Sequence, residues 1–312
     1  MVAILTTTAA DIVNAALRLI GEIDANQPVP AVQTQDGLEA LNYMVKDWQN
    51  QGLHLWTKTE GILFLDAGKR DYLLGPSGDE ATTADDFVNT EMSVAGVSTD
   101  TTLNIDSSAG MAIGDKIGVL LDSGTRQWTT ISTIPDSTSV TIPASGLTGA
   151  VAIDNSVFTF TNLIDRPIRL LQLRRDTIDS VDEIEATQWS REEYFAQPNK
   201  TSQGTINNWY YSPQLTNGRI YIWQTANNAD QLARFTFERP IDILDSTTDS
   251  PDFPAEWFRT LKYNLAADIG PEYTIAQDRL DRITGKAEIL LDAALGFDSE
   301  ADSMSIQPNF GG

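Results

Sequence analysis

Helical periodicity at both ends of the chain brackets a long middle of strand periodicity, and this ordering limits the fold more than any single motif does. In residues 8–21, Ile12, Ala16, Leu19 and Ile20 share a stripe, Thr8 precedes Asp11 by three in a capping arrangement, and Gly21 is placed to end a helix. In "TQDGLEALNYMVKDWQNQG", Leu38, Leu41, Val45 and Trp48 recur at helical spacing, with Thr34 as the expected cap and Gly52 as the stop. Near the other end, Trp257, Leu261, Leu265 and Ile269 line one face up to Gly270-Pro271. Leu280, Ile283, Ala287, Leu290 and Ala294 then line a second face, with Gly296 past its end. Four such helices, two from each terminus, form one bundle if the intervening chain loops out and returns.

That chain reads as β structure. "ILFLDAGKRDYLL", "PIRLLQLRR", "NNWYY", "RIYIW" and "QLARFTFER" carry aromatic or β-branched alternation. Residues 91–157 differ in composition: rich in Thr, Ser, Gly and Asp, they alternate short strands ("TLNID", "KIGVLL", "RQWTTIST", "SVTIP") with turn signals. They read as a small all-β insertion, with a flexible linker as the alternative for their opening. The expected class is α+β, a helix bundle from both termini plus a central antiparallel β domain. The expected divisions are 1–60, then 61–90 with 158–245, the insertion 91–157, helices in 246–297, and a tail over 298–312.

Forty-four acids oppose 21 bases over 312 residues, a formal net charge of −23. Such a chain repels nucleic acid over a Debye length of about 8 Å, and duplex affinity comes mostly from Lys and Arg. The absence of cysteine removes disulfides, thiolate metal sites and cysteine nucleophiles. It fits synthesis in a reducing cytoplasm. No run approaches about 18 apolar residues, and the first 22 residues have no basic leader, so neither a signal peptide nor a membrane span is expected.

His54 is the only histidine, which rules out a His-based metal cluster or a Ser-His-Asp relay within one chain. No phosphate-binding glycine loop occurs. The abundant carboxylates leave glycoside hydrolysis as the one enzymatic reading, since it needs only two. Yet "SREE" is a capping box of Ser190 and Glu193, and Asp85-Asp86 and Asp182-Glu183 also have ordinary structural explanations. No catalytic residue, metal or cofactor is expected.

"NNWYYSPQLTNGRIYIW" sets five aromatic rings around one Asn-Gly step. Pro213 cannot donate to a central ladder, so strands at 207–211 and 219–224 joined by a loop from Ser212 to Gly218 are expected. Rings then fall on both faces. Trp209, Tyr210, Tyr211, Tyr221 and Trp223 are therefore the candidates for a partner surface.

The run "SREEYFAQPNKTSQGTINNWYYSPQLTNGRIYIWQTANNADQLARFTFERPI" resembles head-to-tail adaptor proteins of short-tailed bacteriophages, the group of tail tubular protein A. Shared features are a Tyr-containing helix, a Pro-x-Lys element, a glycine, an aromatic triplet, a Gly-Arg-Ile-Tyr-Ile-Trp-like strand and an Arg-Pro-like close. "ALRLIGEIDANQPVPAVQTQDGLEALNYMVKDWQNQGLHLW" and "FPAEWFRTLKYNLAADIGPEY" resemble the family's flanking helices. The chain departs from the pattern at Ile206 and Gln224, where prolines are common, and in its insertion at 91–157. The resemblance implies a virion structural protein, made in the host cytoplasm, that forms a ring commonly of twelve copies. Such a ring joins the portal protein to the tail nozzle protein, and double-stranded DNA passes through its lumen without tight binding. It also implies portal contact through the helical part and the C-terminal extension, where Met304, Ile306 and Phe310, the sizeable apolar side chains, are the candidate anchors. The rival readings are a virion-associated polysaccharide or peptidoglycan hydrolase or carbohydrate-binding tail protein, and a halophile-like soluble monomer.

Overall fold

A computed structural model of the chain describes residues 7–24, 27–51, 55–177 and 183–297. Among these, helices and strands mix as expected for an α+β protein. The helices are α1 (Ala9–Ile20), α2 (Ala31–Gln51), α3 (Arg191–Ala196), α4 (Phe258–Ile269) and α5 (Gln277–Phe297). The chain divides into two compact units, one of the described residues up to Trp56 and from Ile241 onward, the other of Thr57–Pro240.

In the first unit, α1, α2, α4 and α5 contribute to one hydrophobic core. Thr8 caps α1 through its side chain while the Asp11 carboxylate returns to the Thr8 backbone, and Gly21 closes the helix in the left-handed region at φ 86°. Only glycine takes that conformation without a Cβ penalty. Ile12, Val13, Ala16, Leu17 and Ile20 of α1 are buried with Leu38, Leu41 and Val45 of α2 and Leu261, Leu265 and Ile269 of α4. Gly37 lets α2 approach Val13 so closely that a Cβ there would overlap the valine side chain. Trp48, Trp56, Phe253 and Trp257 close this core, with ring centroids 5.1 to 6.4 Å apart.

Two helix ends differ from expectation. The second helix begins at Ala31 rather than after Thr34, because the Pro30 carbonyl already accepts from the Thr34 amide at 3.1 Å. Proline's fixed φ suits the start of a helix and its missing N–H costs nothing there. At the other end, Gly296 lies within α5. Ile241 and Leu244, expected with the β domain, join the helical core, and the Leu244 carbonyl and amide bond both ends of the Asn42 amide side chain at 3.0 Å.

The second unit holds fifteen strands among its described residues. They are β1 (Lys58–Phe64), β2 (Asp71–Leu74), β3 (Ala81–Thr83), β4 (Val88–Glu91), β5 (Thr102–Asn104), β6 (Lys116–Leu120), β7 (Arg126–Thr130) and β8 (Thr133–Asp136). The chain continues through β9 (Ser139–Thr141), β10 (Ser156–Phe160), β11 (Arg169–Thr177), β12 (Ile184–Gln188), β13 (Asn208–Ser212), β14 (Gly218–Trp223) and β15 (Gln231–Glu238). Eight form one sheet in the order β2-β14-β13-β12-β11-β15-β1-β3. The sheet is antiparallel except where β12 and β13 run parallel, a departure from the purely antiparallel expectation that follows from placing α3 between them in sequence.

The compositionally distinct segment folds as its own β module. A four-stranded sheet β4-β10-β6-β7 and a three-stranded sheet β5-β9-β8 enclose a separate core that includes Met92, Leu103, Ile117, Val119, Val140 and Val157. Its limits lie slightly outside 91–157, because β4 and β10 pair with each other from Thr159↔Val88 to Ser156↔Glu91. A smaller cluster joins the module to β1. In it Phe64 stacks on Phe160 at 5.7 Å and meets Trp128 edge-on at 4.9 Å. Arg126 lies over the Phe64 and Phe158 rings at 5.1 Å and donates through Nη2 to the Ala229 carbonyl.

Candidate functional site

The aromatic ribbon forms where expected, as β13 and β14 joined by residues 213–217. Strand geometry sends alternate side chains to opposite faces. The inner face carries Trp209, Tyr211, Ile220 and Ile222, all buried in the core of the large sheet. Trp209 is 1% exposed and donates through Nε1 to the Ala186 carbonyl at 3.0 Å. Tyr211 donates its hydroxyl to the Pro167 carbonyl at 2.5 Å, and burial pushes its pKa up. Each buried ring thus has its polar atom satisfied, as rings of this kind require.

On the outer face Tyr210 and Tyr221 stand directly opposite each other, their rings stacked at 5.7 Å and 13°. The short helix α3 covers this pair. It is started by Ser190, whose side chain accepts from the Glu193 amide, while the Glu193 carboxylate accepts from the Ser190 amide at 2.6 Å. Those hydrogen bonds hold the Glu193 carboxyl below its ordinary pKa. Tyr194 is buried against Tyr221 at 5.0 Å, whereas the adjacent Phe195 is 48% exposed and meets Tyr194 edge-on at 5.4 Å.

The segment after α3 completes the cover. Lys200 donates to the Phe195 and Gln197 carbonyls at 3.0 and 2.7 Å, with its Nζ 5.8 Å from the Tyr194 ring centroid. Trp223 donates to the Asn199 carbonyl at 2.9 Å and stacks on Trp189 at 5.4 Å. Gly204 leaves room for Gln224, whose side-chain oxygen a Cβ would strike. Arg191 sits over Phe195 at 5.6 Å.

This arrangement revises the candidate list. Trp209 and Tyr211 are withdrawn as interface residues, because their burial in the sheet core leaves no ring surface for a partner. Tyr210, Tyr221 and Trp223 remain on the outer face but are half-buried beneath α3 and the 197–204 segment. Of the rings around the ribbon, Phe195 is the one most open to a partner. The "EEYF" pair carries the signal for it: neighbouring residues on a short helix point about 100° apart, so Tyr194 and Phe195 cannot share one buried face. Met304, Ile306, Phe310 and His54 lie outside the described residues.

The acid pairs have structural tasks. Asp86 accepts from the Thr161 and Asn162 amides at 3.1 and 2.7 Å, and Glu183 pairs with Arg174 at 3.0 Å. Asp182 lies outside the described residues. Asp47 and Asp268 border a hollow of about 320 Å³ with Trp48, Asn264 and Thr284; burial first, then the charge of Asp47, raises the Asp268 pKa. Among the described residues no three His, Cys, Asp or Glu side chains are grouped so as to hold a metal ion. No described helix is long and apolar enough to cross a membrane. No protein-family model matches the chain, and a search of curated proteins gives no significant match.

Proposed function

We propose that this protein is a structural virion component, a head-to-tail adaptor of a short-tailed bacteriophage that acts by binding rather than turnover. Copies assemble into a ring, twelve in number as in the proteins it resembles, between the portal protein and the tail nozzle protein. A bundle drawn from both termini carries the β domain, and double-stranded DNA passes through a lumen whose negative field does not grip it.

One observation carries this reading. Residues on which the resemblance rests, spread over the thirty positions from Tyr194 to Trp223, converge on one structure. Tyr194 of α3, Lys200 of the Pro-x-Lys element, Gly204, the Trp209-Tyr210-Tyr211 triplet and the strand from Gly218 to Trp223 build the ribbon and its cover together. A chance match to scattered aromatic residues has no reason to produce one mutually packed motif.

Electron microscopy of the purified protein, alone and mixed with its portal, tests the proposal. Rings seated on portal particles are expected, and deletion of residues 298–312 is expected to abolish capture by portal in a pull-down. A protein that stays monomeric beside portal, or that releases reducing sugar from peptidoglycan or capsule, would overturn it.

A further inference from the structure

Helix α4 reaches the surface of the helical unit in two strips of opposite charge. On its α1 side stand Arg259 and Lys262, beside Asp11 and Ala15. Both cations lean over the Tyr263 ring, at 5.9 and 5.3 Å, and neither has a carboxylate within salt-bridge distance among the described residues. Asp11 already accepts from the Thr8 amide and hydroxyl at 3.0 and 2.8 Å. On the α2 side of α4, Asp268 shares with Asp47 the hollow of about 320 Å³ that also takes in Asn264 and Thr284. Both carboxylates are exposed, and neither has a cation within salt-bridge distance among the described residues. One turn ahead of Asp47 on α2, Tyr43 is 67% exposed.

The two strips cannot meet within one chain. Arg259 and Asp268 are nine residues apart, which places them about 180° apart around α4 and about 14 Å apart along it. Acids outnumber bases 44 to 21, so a cation rarely lacks a nearby acid by shortage; here two cations and two acids stand unpaired on opposite flanks of one helix. Setting either strip against its own copy about a two-fold axis brings like charges together. Setting the cationic strip of one copy against the acidic strip of the next pairs all four. Such a head-to-tail contact repeats from copy to copy and closes as a ring when the rotation allows. Arg and Tyr at the two strips are also residue types enriched where proteins meet.

We propose that these strips are the contact between neighbouring copies of the chain, with Arg259 and Lys262 of one copy against Asp268 and Asp47 of a second. Tyr43 lies beside the paired charges and offers its ring to the incoming cations. The inference rests on the ring-forming reading above and adds to it the surface through which the ring is made.

A chain without cysteine makes the contact readable by disulfide mapping. Full-length protein carrying Arg259→Cys and Asp268→Cys is oxidised, alone and mixed with portal, and the same samples are imaged by electron microscopy. The two cysteines cannot bridge within one chain, because a disulfide needs Cα atoms within about 7 Å. The expected result is a ladder of cross-linked copies, its 259–268 bond formed at least fivefold faster than the bond in a control pairing Arg259→Cys with Val94→Cys on the β module. In the Arg259→Cys, Asp268→Cys background, Lys262→Glu alone or Asp47→Lys alone should cut the rate at least fivefold. The two together should restore it, which separates lost attraction from lost folding. Rings without a ladder would overturn this contact and leave the ring reading standing, whereas a chain that stays monomeric beside portal would overturn both. Cross-linking that stops at dimers would replace the proposal with a two-fold contact. A ladder indifferent to Lys262→Glu, with weaker retention of duplex DNA by that variant, would assign the cations to phosphate instead.

Discussion

The Tyr211 ring lies directly over Gly218, so that a Cβ at Gly218 would overlap the tyrosine hydroxyl. The close approach lets that hydroxyl reach the Pro167 carbonyl at 2.5 Å, tying β13 to the chain just ahead of β11. Gly218→Ala is expected to cost about 1–3 kcal/mol through overpacking. Tyr211→Phe should cost roughly 1–3 kcal/mol, because the carbonyl loses its donor. The double variant should lose less than the sum, since removing the hydroxyl makes room for the methyl group. Urea unfolding of the three variants measures the coupling; strict additivity would contradict this packing.

Tyr194 and Phe195 are neighbours with opposite expected roles. Tyr194→Ala removes a buried ring and should destabilise the β unit by about 3–5 kcal/mol. Phe195→Ala should stay within about 0.5 kcal/mol of the parent in thermal unfolding, as surface substitutions do. If the proposed ring uses this ridge, sedimentation velocity will show Phe195→Ala shifted toward monomer.

Arg126 is half-buried at the start of β7, with its Nε and Nη1 atoms buried without a hydrogen-bond partner, and burial lowers its pKa to about 10. Arg126→Ala opens a void among Phe64, Trp128 and Phe158 and is expected to cost about 2–4 kcal/mol. Arg126→Met fills most of that volume without a buried charge and should fall within about 1 kcal/mol of the parent. Urea unfolding of parent and both variants, followed by circular dichroism, measures the losses. Equal losses in the two variants would show that the charge itself holds the module.

Asp268 has its pKa raised above the ordinary 3.8, so its ionised form is disfavoured in the folded helical unit. The penalty is fully present above the folded pKa and is relieved as pH falls through it toward 3.8. Asp268→Asn should therefore raise stability slightly at neutral pH, by no more than a few tenths of a kcal/mol at this exposed site, and lose that advantage on acidification. Stability curves of parent and variant from pH 3 to 7 provide the comparison, and a variant less stable at neutral pH would contradict the assignment.

What the sequence made legible were features set by near neighbours. The α1 cap at Thr8, the stripes of α1, α2, α4 and α5, and the alternation of β13 and β14 follow from spacings of two to four residues. Pairings between distant segments left no such mark. Nothing in "DYLL" says that β2 borders β14, almost 150 positions away, or that β12 lies parallel to β13. The interface candidates were partly misassigned for the same reason: alternation showed that rings occupy both faces of the ribbon, but only the position of α3 decides that Phe195, not Trp209, stays open. Arg126 gave no signal because its burial depends on Phe64 and Ala229, both remote in the chain.

The β module enters through β4 and leaves through β10, and these two strands are hydrogen-bonded neighbours. Its two ends therefore emerge side by side, and a short turn would bridge them in its absence. Such an arrangement behaves as a removable cassette: none of its strands belongs to the surrounding eight-stranded sheet, whose connectivity therefore does not depend on it.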